Sequence, residues 1–511
     1  MFWADRLAGE IEKKYGKRKP VIIRDEKTVS GRVHIGSMRG VAIHGSVAEA
    51  LEGAGVSNEF IWEHNDFDPM DDIPVYLDRA TYEPFLGKPL CNIPSPEPGY
   101  KSYGEYFAKE FQEVIESAGW RPCFTWASEL YQSGKMDGVI KEALEGAEAI
   151  RRIQKEVSGA ERKPGWLPIS IICPKCGKMT TTEAADFDGT TVAVRCLERK
   201  VEYTKGCGFE GRLSPFGGKG KLYWKADWPA KWKVYGVLVE GGGKDHSTKG
   251  GSRDVGNHIA QEVFHYEPPF DIPYEFFLIG GKKMSSSKGR GSSAKEISAL
   301  MPPQILRLAL LSKDINQAIN FDPEGDTLPV LYDLYDKLAG NFWAGTKDDY
   351  ARLFEFIHIN HQTPPAHFLP RFSQVAFLAQ MPHLNIEKEV GAMKGGALTA
   401  QDKAELTERA AYAKHWLEAY APEKFVFKLQ EAMPQVALAP AQKAALGELR
   451  ARIDSKPDIT AEEMHATLHE LKEFKAVYLA FLGKDHGPKA GWFLESLPRE
   501  FVLKRLQEAS Q

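Results

Sequence analysis

The sequence predicts an α/β protein. A Rossmann-like domain opens it, an inserted connective region with a zinc-ribbon-like segment interrupts that domain, and an all-α C-terminal domain follows. Three observations carry this. The apolar run Val21-Ile22-Ile23 leads into Thr28-Val-Ser-Gly-Arg-Val-His-Ile-Gly-Ser37. Residues 38–51 then place Val41, Ala42, Val47, Ala48 and Leu51 at helical spacing, so the chain reads strand, glycine-bearing turn, helix. Cys173-Pro-Lys-Cys-Gly177 is a knuckle of the kind that holds zinc. After Phe321 the pattern is helical throughout.

With 511 residues the chain should hold several domains, and 43% hydrophobic residues suffice for sizeable cores. Boundaries are expected at residues 1–84 and 221–320 for the two halves of the Rossmann-like domain. The insertion takes 85–220 and the helical domain 321–511. A net charge of −4 excludes a globally basic nucleic-acid binder, so any RNA contact needs a local basic face. Six cysteines are too few for a disulfide scaffold of this length. No apolar run is long enough for a membrane span, and charges interrupt the first residues, so a cytoplasmic location is the default expectation.

Residues 1–20 read as a helix with a basic end, a solvated face. The turn at 28–37 sets backbone N–H groups and a helix N-terminus toward an anion, although an ordinary βα turn has the same look. It lacks the Gly-Lys-Ser/Thr of a P-loop. Phe60-Ile-Trp62 is a second parallel strand ending in Glu63-His-Asn-Asp-Phe-Asp68, a polar cluster at the edge where open α/β sheets bind ligands. Residues 77–98 are loop. Residues 103–118 form an amphipathic helix closed by Gly119, and a longer helical stretch covers 129–157. These helices are expected to break the strand–helix alternation.

Cys173 and Cys176 form the strong half of a four-thiolate zinc site. Cys196 and Cys207, ten residues apart, complete it or are merely buried or free. Residues 222–232 are dense in aromatics with charges interleaved. A strand at 234–239 should deliver Gly241-Gly-Gly-Lys-Asp-His-Ser247 to the ligand edge. Gly250-Gly-Ser-Arg-Asp-Val-Gly256 should open a helix as a second anion or nucleoside site. An extended segment, 274–279, precedes Gly280-Gly-Lys-Lys-Met-Ser-Ser-Ser-Lys-Gly289, whose lysines could close over phosphates or be a solvated loop. Pro302-Pro303 start a helix, and Thr460-Ala-Glu-Glu463 is a capping box. Leu331, Leu334 and Leu338 form one core stripe, and Met464, Leu468 and Leu471 another.

These stretches carry a resemblance. His34-Ile-Gly-Ser37 and Lys283-Met-Ser-Ser-Ser287 resemble the HIGH and KMSKS signatures of class I aminoacyl-tRNA synthetases, in the right order and widely separated. Asp66-Phe-Asp68, Gly87-Lys-Pro-Leu90, Asp227-Trp-Pro229, Gly243-Lys-Asp-His246 and Gly487-Pro-Lys-Ala-Gly-Trp-Phe493 resemble the class I lysyl-tRNA synthetase family over nearly the whole chain. Three positions depart from the pattern. Ser37 stands where histidine or asparagine is usual, and Ser286 where a second lysine is, with Lys288 close by. Glu26 stands where a small residue is expected.

The resemblance implies ATP-dependent activation of L-lysine to lysyl-adenylate and its transfer to tRNA(Lys), with Mg²⁺ accompanying ATP and Zn²⁺ structural. It implies His34 and Lys283 as catalytic residues, and His34, Gly36, Ser37, Gly256, Lys283, Ser285, Ser286 and Lys288 around ATP. Thr28, Trp224, His246 and Tyr274 would surround lysine, with Asp66 or Asp245 as acidic partner, and Cys173, Cys176, Cys196 and Cys207 would hold zinc. A purely structural His246 remains an alternative. The insertion would approach the tRNA acceptor end and the helical domain the anticodon, although a generic helical interaction domain fits the same residues. A class I enzyme for glutamate or glutamine, a non-catalytic tRNA-binding paralogue and a nucleotidyltransferase are the competing readings.

Overall fold

A computed structural model describes residues 1–16, 20–281, 293–381 and 384–511. The chain divides into two compact units. The first comprises residues 1–321 and 345–363, the second 322–344 and 364–511.

In the first unit, α1 (Trp3–Tyr15) buries Trp3, Leu7 and Ile11 along one stripe. β1 (Val21–Thr28) follows, then α2 (Met38–Gly53) and β2 (Asn58–Asn65), which pairs parallel with β1 from Val21↔Asn58 to Thr28↔Asn65. After the short α3 (Arg79–Tyr82) comes α4 (Tyr103–Ser117), with Ser102 accepting the Glu105 N–H as its N-cap. β3 (Cys123–Trp126) then pairs parallel with β2. The sequence did not announce this strand, because four residues carry too little periodicity. Its presence means that α4 continues the strand–helix alternation rather than breaking it.

The helical stretch at 129–157 resolves into α5 (Ala127–Gln132), α6 (Asp137–Glu145) and α7 (Ala147–Ser158), bent at glycines 134 and 146. β4 (Ile169–Ile171) pairs antiparallel with a strand at Gly220–Leu222. Between them stands an antiparallel sheet of β5 (Thr182–Ala185), β6 (Val192–Cys196) and β7 (Glu210–Leu213), which makes the Gly220–Leu222 strand β8.

The strand expected at 234–239 is corrected. Residues through Tyr235 belong to α8 (Trp224–Tyr235), which Gly236 ends in the left-handed region at φ 70°. Only the following few residues are extended, with Val239 bridging Ile23 and Phe270, both parallel. β9 (Gly242–Gly243) then pairs parallel with β10 (Pro273–Tyr274), with α9 (Ser252–Glu262) between them. The parallel sheet therefore runs β3-β2-β1, the 239 segment and the 270 segment, a doubly wound order; in open sheets of this kind ligands bind outside the carboxyl edge. β11 (Phe277–Ile279) and β12 (Ile319–Phe321) pair parallel, joined through α10 (Ala294–Ser298) and α11 (Pro303–Leu311).

His64 sits fully buried in β2, stacked on Phe124 (5.4 Å, 4° between planes) and beside Trp126 (4.8 Å). Burial, with the Lys109 charge in support, lowers its pKa to about 3, so it folds uncharged. The unfolded chain therefore binds one more proton between pH 3 and 6.5. This contribution is whole above pH 6.5 and is lost as pH falls. His64→Phe should flatten the acid limb of the stability curve, by about 2 kcal/mol at pH 5 relative to pH 8. Urea titrations at both pH values check it, and parallel curves for the two proteins would refute it.

α12 (Thr327–Trp343) belongs to the second unit and α13 (Asp349–Ile357) to the first. The second continues with α14 (Phe372–Leu378), α15 (Ile386–Lys394), α16 (Ala400–Ala419), α17 (Pro440–Ser455), α18 (Ala461–Leu471), α19 (Phe474–Leu482), α20 (Ala490–Glu495) and α21 (Arg499–Ser510). The Thr460–Glu463 capping box is formed. Leu331, Leu338, Met464 and Leu468 are buried, whereas Leu334 and Leu471 are half-buried at the stripe edges. Gly491 is packed so closely that a Cβ there would stand 2.8 Å from His465, which lets α20 rest on α18. Among the described residues no helix is long and apolar enough to cross a membrane.

Candidate active site

At the carboxyl end of β1 the chain turns through a single 3-10 turn, Ile35–Ser37, into α2. His34 is extended (φ −75°, ψ 152°), and its carbonyl accepts the Ser37 N–H at 3.0 Å. The turn is tied to a distant segment: Ala294 N–H donates to the Val33 carbonyl at 2.8 Å, and His34 bridges Ser293. At the other root, Gly281 N–H donates to Asn320 Oδ1 at 2.7 Å. Lys283, Ser285, Ser286 and Lys288 lie outside the described residues, but both ends of their segment are placed, and one is fastened to the His34 turn.

Alternation along β1 puts Arg24, Glu26 and Thr28 on one face. A buried charge cluster has formed there. Lys231 reaches Glu63 at 2.5 Å, Glu26 at 2.8 Å and Asp227 at 3.0 Å. Arg24 reaches Glu26 and Glu240, each at 2.9 Å, and Glu63 at 3.2 Å. Lys221 bonds Asp68 and, at 2.9 Å, Asn65, with Asp227 3.8 Å away. Thr28 Oγ1 donates to Asp68 at 2.5 Å. Five carboxylates (Glu26, Glu63, Asp68, Asp227, Glu240) thus meet three cations (Arg24, Lys221, Lys231). Burial alone would raise the Glu26 carboxyl, but Arg24 and Lys231 outweigh it and hold it well below the usual carboxylate range. Burial pushes Glu240 up to about 7 despite Arg24. Glu26, where the resemblance leads one to expect a small residue, instead sets its Oε2 on both Arg24 and Lys231.

α8 builds the next wall. Trp224, Trp228 and Trp232 recur every four residues on one side of it, and Asp227 and Lys231 share another. Trp228 and Trp232 donate their indole N–H to Glu240 at 2.9 and 2.7 Å. Trp224 stacks on Trp228 (4.9 Å, 15°) and stays 37% exposed, leaving an open aromatic wall. His246 stands edge-on to both rings, at 6.3 and 5.9 Å. On the opposite face of β1, a Cβ on Gly40 would meet Asp25 and the Tyr274 hydroxyl, the latter at 2.8 Å, so α2 must carry glycine there. His44 Nε2 accepts the Gly241 N–H at 2.8 Å, which assigns its proton to Nδ1, facing the Gly40 carbonyl at 2.8 Å.

A family model described as "tRNA synthetases class I (K)" matches residues 1–363. The chain belongs to the class I (K) tRNA synthetases. A lysine–tRNA ligase of Methanosarcina barkeri is 34% identical, over 99% of this chain and 97% of that protein. One from Archaeoglobus fulgidus is 31% identical over the whole of both chains, and one from Pyrococcus horikoshii 30% identical over 99% of both.

In this synthetase the residues expected around the amino acid divide. Thr28 stands with Asp68. Trp224 and His246 stand together, and Tyr274 lies by Asp25 and Gly40. Asp245 is beside Gly243, where a Cβ would be 2.9 Å from its carboxylate. Asp66 turns elsewhere. Its carboxylate accepts Ser128 N–H (2.9 Å) and Oγ–H (2.6 Å) at the start of α5, and burial raises its pKa. Gly256 lies inside α9 rather than at its N-terminus, where a Cβ would stand 3.3 Å from Trp232. Sequence reasoning did not single out Lys221, Lys231 or Glu240. The local trace was that β1 turns from apolar (Val21, Ile22, Ile23) to continuously polar from Arg24 to Thr28, before it reaches the ligand edge.

Four of the synthetase's six cysteines, Cys173, Cys176, Cys196 and Cys207, come together, with all four Sγ within 4.8 Å. Cys173–Cys207 and Cys176–Cys196 are 3.5 and 3.7 Å apart. Tetrahedral zinc with bonds of about 2.3 Å sets its sulfurs about 3.8 Å apart, so this donor set fits that ion. Gly206 is packed so that a Cβ would stand 2.9 Å from Cys196 Sγ. Beside this sheet a cleft of about 1020 Å³ runs past Lys200, Tyr203 and Tyr223 to Lys221, Asp68 and Trp224. Trp166 stacks on Tyr223 (5.7 Å, 12°) at its side.

Proposed function

We propose that the chain is a lysine–tRNA ligase, activating L-lysine with ATP and transferring it to tRNA(Lys). The observation that carries this is near-end-to-end similarity to several proteins named lysine–tRNA ligase. The site's chemistry agrees. A surplus of carboxylates around Thr28, Asp68 and Trp224 suits an ammonium on an aliphatic stem, whereas a glutamate enzyme needs the opposite charge.

In the first step an oxygen of the lysine carboxylate bonds to the α-phosphorus of ATP as the bond to pyrophosphate breaks. His34, Gly36 and Ser37 lie where the phosphates would meet the α2 N-terminus. Lys283, with Ser285, Ser286 and Lys288, would neutralise the departing pyrophosphate. Mg²⁺ belongs with the nucleotide. Asp68, with Thr28 bonded to it, replaces Asp66 in our assignment of the ammonium partner; Trp224 and His246 would line the stem, and Tyr274 and Asp245 would serve the other end of the amino acid. Zn²⁺ at Cys173, Cys176, Cys196 and Cys207 would brace the β5–β7 sheet. The cleft beside that sheet offers the unpaired RNA 3′ end a route to the adenylate, past aromatic and cationic side chains. The second unit takes the anticodon in this reading. There Lys489 lies 4.0 Å over Trp492, beside His465. We infer a cytoplasmic location, which the lack of a membrane-spanning helix among the described residues supports.

ATP–pyrophosphate exchange against each of the twenty amino acids, with and without tRNA, tests the assignment. Exchange with lysine is expected. Exchange with glutamate would move the protein to the neighbouring specificity, and none at all would leave a tRNA-binding paralogue.

A further inference from the structure

Directly after Asp68 the chain forms a strap, residues 69–78. Its base is fixed by Met70 N–H to the Lys88 carbonyl (2.9 Å) and Gly87 N–H to the Met70 carbonyl (2.8 Å). Its tip carries Val75 and Tyr76, 73% and 41% exposed. An aromatic ring this open adds little by burial. Its hydroxyl, however, is turned inward onto the nucleotide-side turn and accepts the Arg32 N–H at 2.6 Å. A Cβ on Gly31 would stand 2.8 Å from that hydroxyl and 3.0 Å from Pro74, so strap and turn are packed backbone to side chain.

Arg32 extends the connection. Its guanidinium lies 5.1 Å over the Tyr76 ring and points between Glu110 (3.8 Å) and Glu296 (4.0 Å). Glu296 accepts the N–H of Ser293, where the chain returns from the Lys283 segment, at 2.9 Å. One continuous path therefore joins the carboxylate beside Thr28, the strap, the His34 turn and the root of the second signature segment.

We propose that Tyr76 and Arg32 are positioning residues for adenylate formation, holding the His34 turn and the Ser293 root in register with each other and with the amino-acid side of the site. This rests on the activation reaction proposed above. The physical reason is that in-line displacement on a phosphate is governed by placement, and misplacement of about 1 Å can cost on the order of 100-fold. A purely structural role predicts something else. The Tyr76–Arg32 contact is solvent-exposed, so losing the hydroxyl leaves the Arg32 N–H to water at small cost in stability.

The test is Tyr76→Phe, Arg32→Met, Arg32→Lys and the double variant Tyr76→Phe/Arg32→Met. Lysine-dependent exchange, ATP affinity by calorimetry and thermal unfolding are measured on the full chain. Tyr76→Phe should lower kcat about tenfold with the lysine KM and the unfolding temperature unchanged. Arg32→Met should do at least as much, and the double variant should be no worse than Arg32→Met, because the two act as one unit. Arg32→Lys should recover only part, since an ammonium keeps the charge but not the planar stack on the ring. Wild-type kcat and ATP affinity in Tyr76→Phe would overturn the proposal. So would multiplying losses in the double variant, or a fall in activity that merely follows a lowered unfolding temperature. Wild-type protein that exchanges with no amino acid would sink the ligase reading instead, and the ATP affinities of the variants would still decide whether the turn is held from the strap.

Discussion

Lys231→Met is expected to destabilise the first unit by about 3–5 kcal/mol and to abolish amino-acid activation. Lys231 is fully buried and holds Glu26, Glu63 and Asp227 at 2.8, 2.5 and 3.0 Å. Methionine matches its volume but removes the cation, leaving Glu26 and Glu63 to share Arg24, and leaving Asp227 the Lys221 cation alone, 3.8 Å away, in a site closed to water. The loss reaches the ligand edge through Asp227, which Tyr131 also bonds and which faces Lys221 beside Asp68. The companion variant Lys231→Met/Glu63→Gln removes one cation and one carboxylate together. It should regain part of the stability, because breaking a buried pair costs more than replacing it. Chemical denaturation of both proteins checks this. Wild-type stability in Lys231→Met would mean that the carboxylates around it are protonated and the cluster carries no net interaction.

Removing the metal should have the other large effect. Structural zinc contributes about 10–16 kcal/mol to folding in small zinc-finger peptides near pH 7, since the site forms only as the chain folds. Here four thiols meet within 4.8 Å, drawn from the knuckle at 173–176, the end of β6 and the turn at 207. Backbone geometry supports them: Gly177 N–H bonds the Cys173 carbonyl at 2.8 Å, and Cys207 N–H meets Cys196 Sγ at 3.3 Å. Zinc determination should give one equivalent per chain. Cys176→Ser, or a strong chelator, should remove it and open residues 173–213 to protease while α12 and α14–α21 stay protected. A protein purified without zinc whose 173–213 segment resists protease equally well would refute a structural metal there.

Within this protein, what the sequence by itself determined was local. The strand–turn–helix at 21–53 follows from an apolar run, two glycines and a helical repeat. The capping box at 460–463 is legible because its partners are three residues apart. Half of the cysteine site, Cys173 and Cys176, is legible because thiolates at knuckle spacing have few other uses, whereas only the folded sheet brings Cys196 and Cys207 to it. The helical character beyond residue 321 is carried by stripes within single helices.

Tertiary structure decided the rest. Val234 and Tyr235 look like strand residues, yet they finish a helix whose tryptophans are needed at Glu240. Asp66 and Asp68 are chemically equivalent in sequence. Only the position of α5 directs one to Ser128, and only β8 brings Lys221 to the other. Arg24 and Glu240 are 216 residues apart and meet because the extended segment at 239 lies beside β1. Periodicity tells a residue which face it occupies. Which other face it meets is decided by the order in which distant strands enter the sheet, and no window along the chain contains that order.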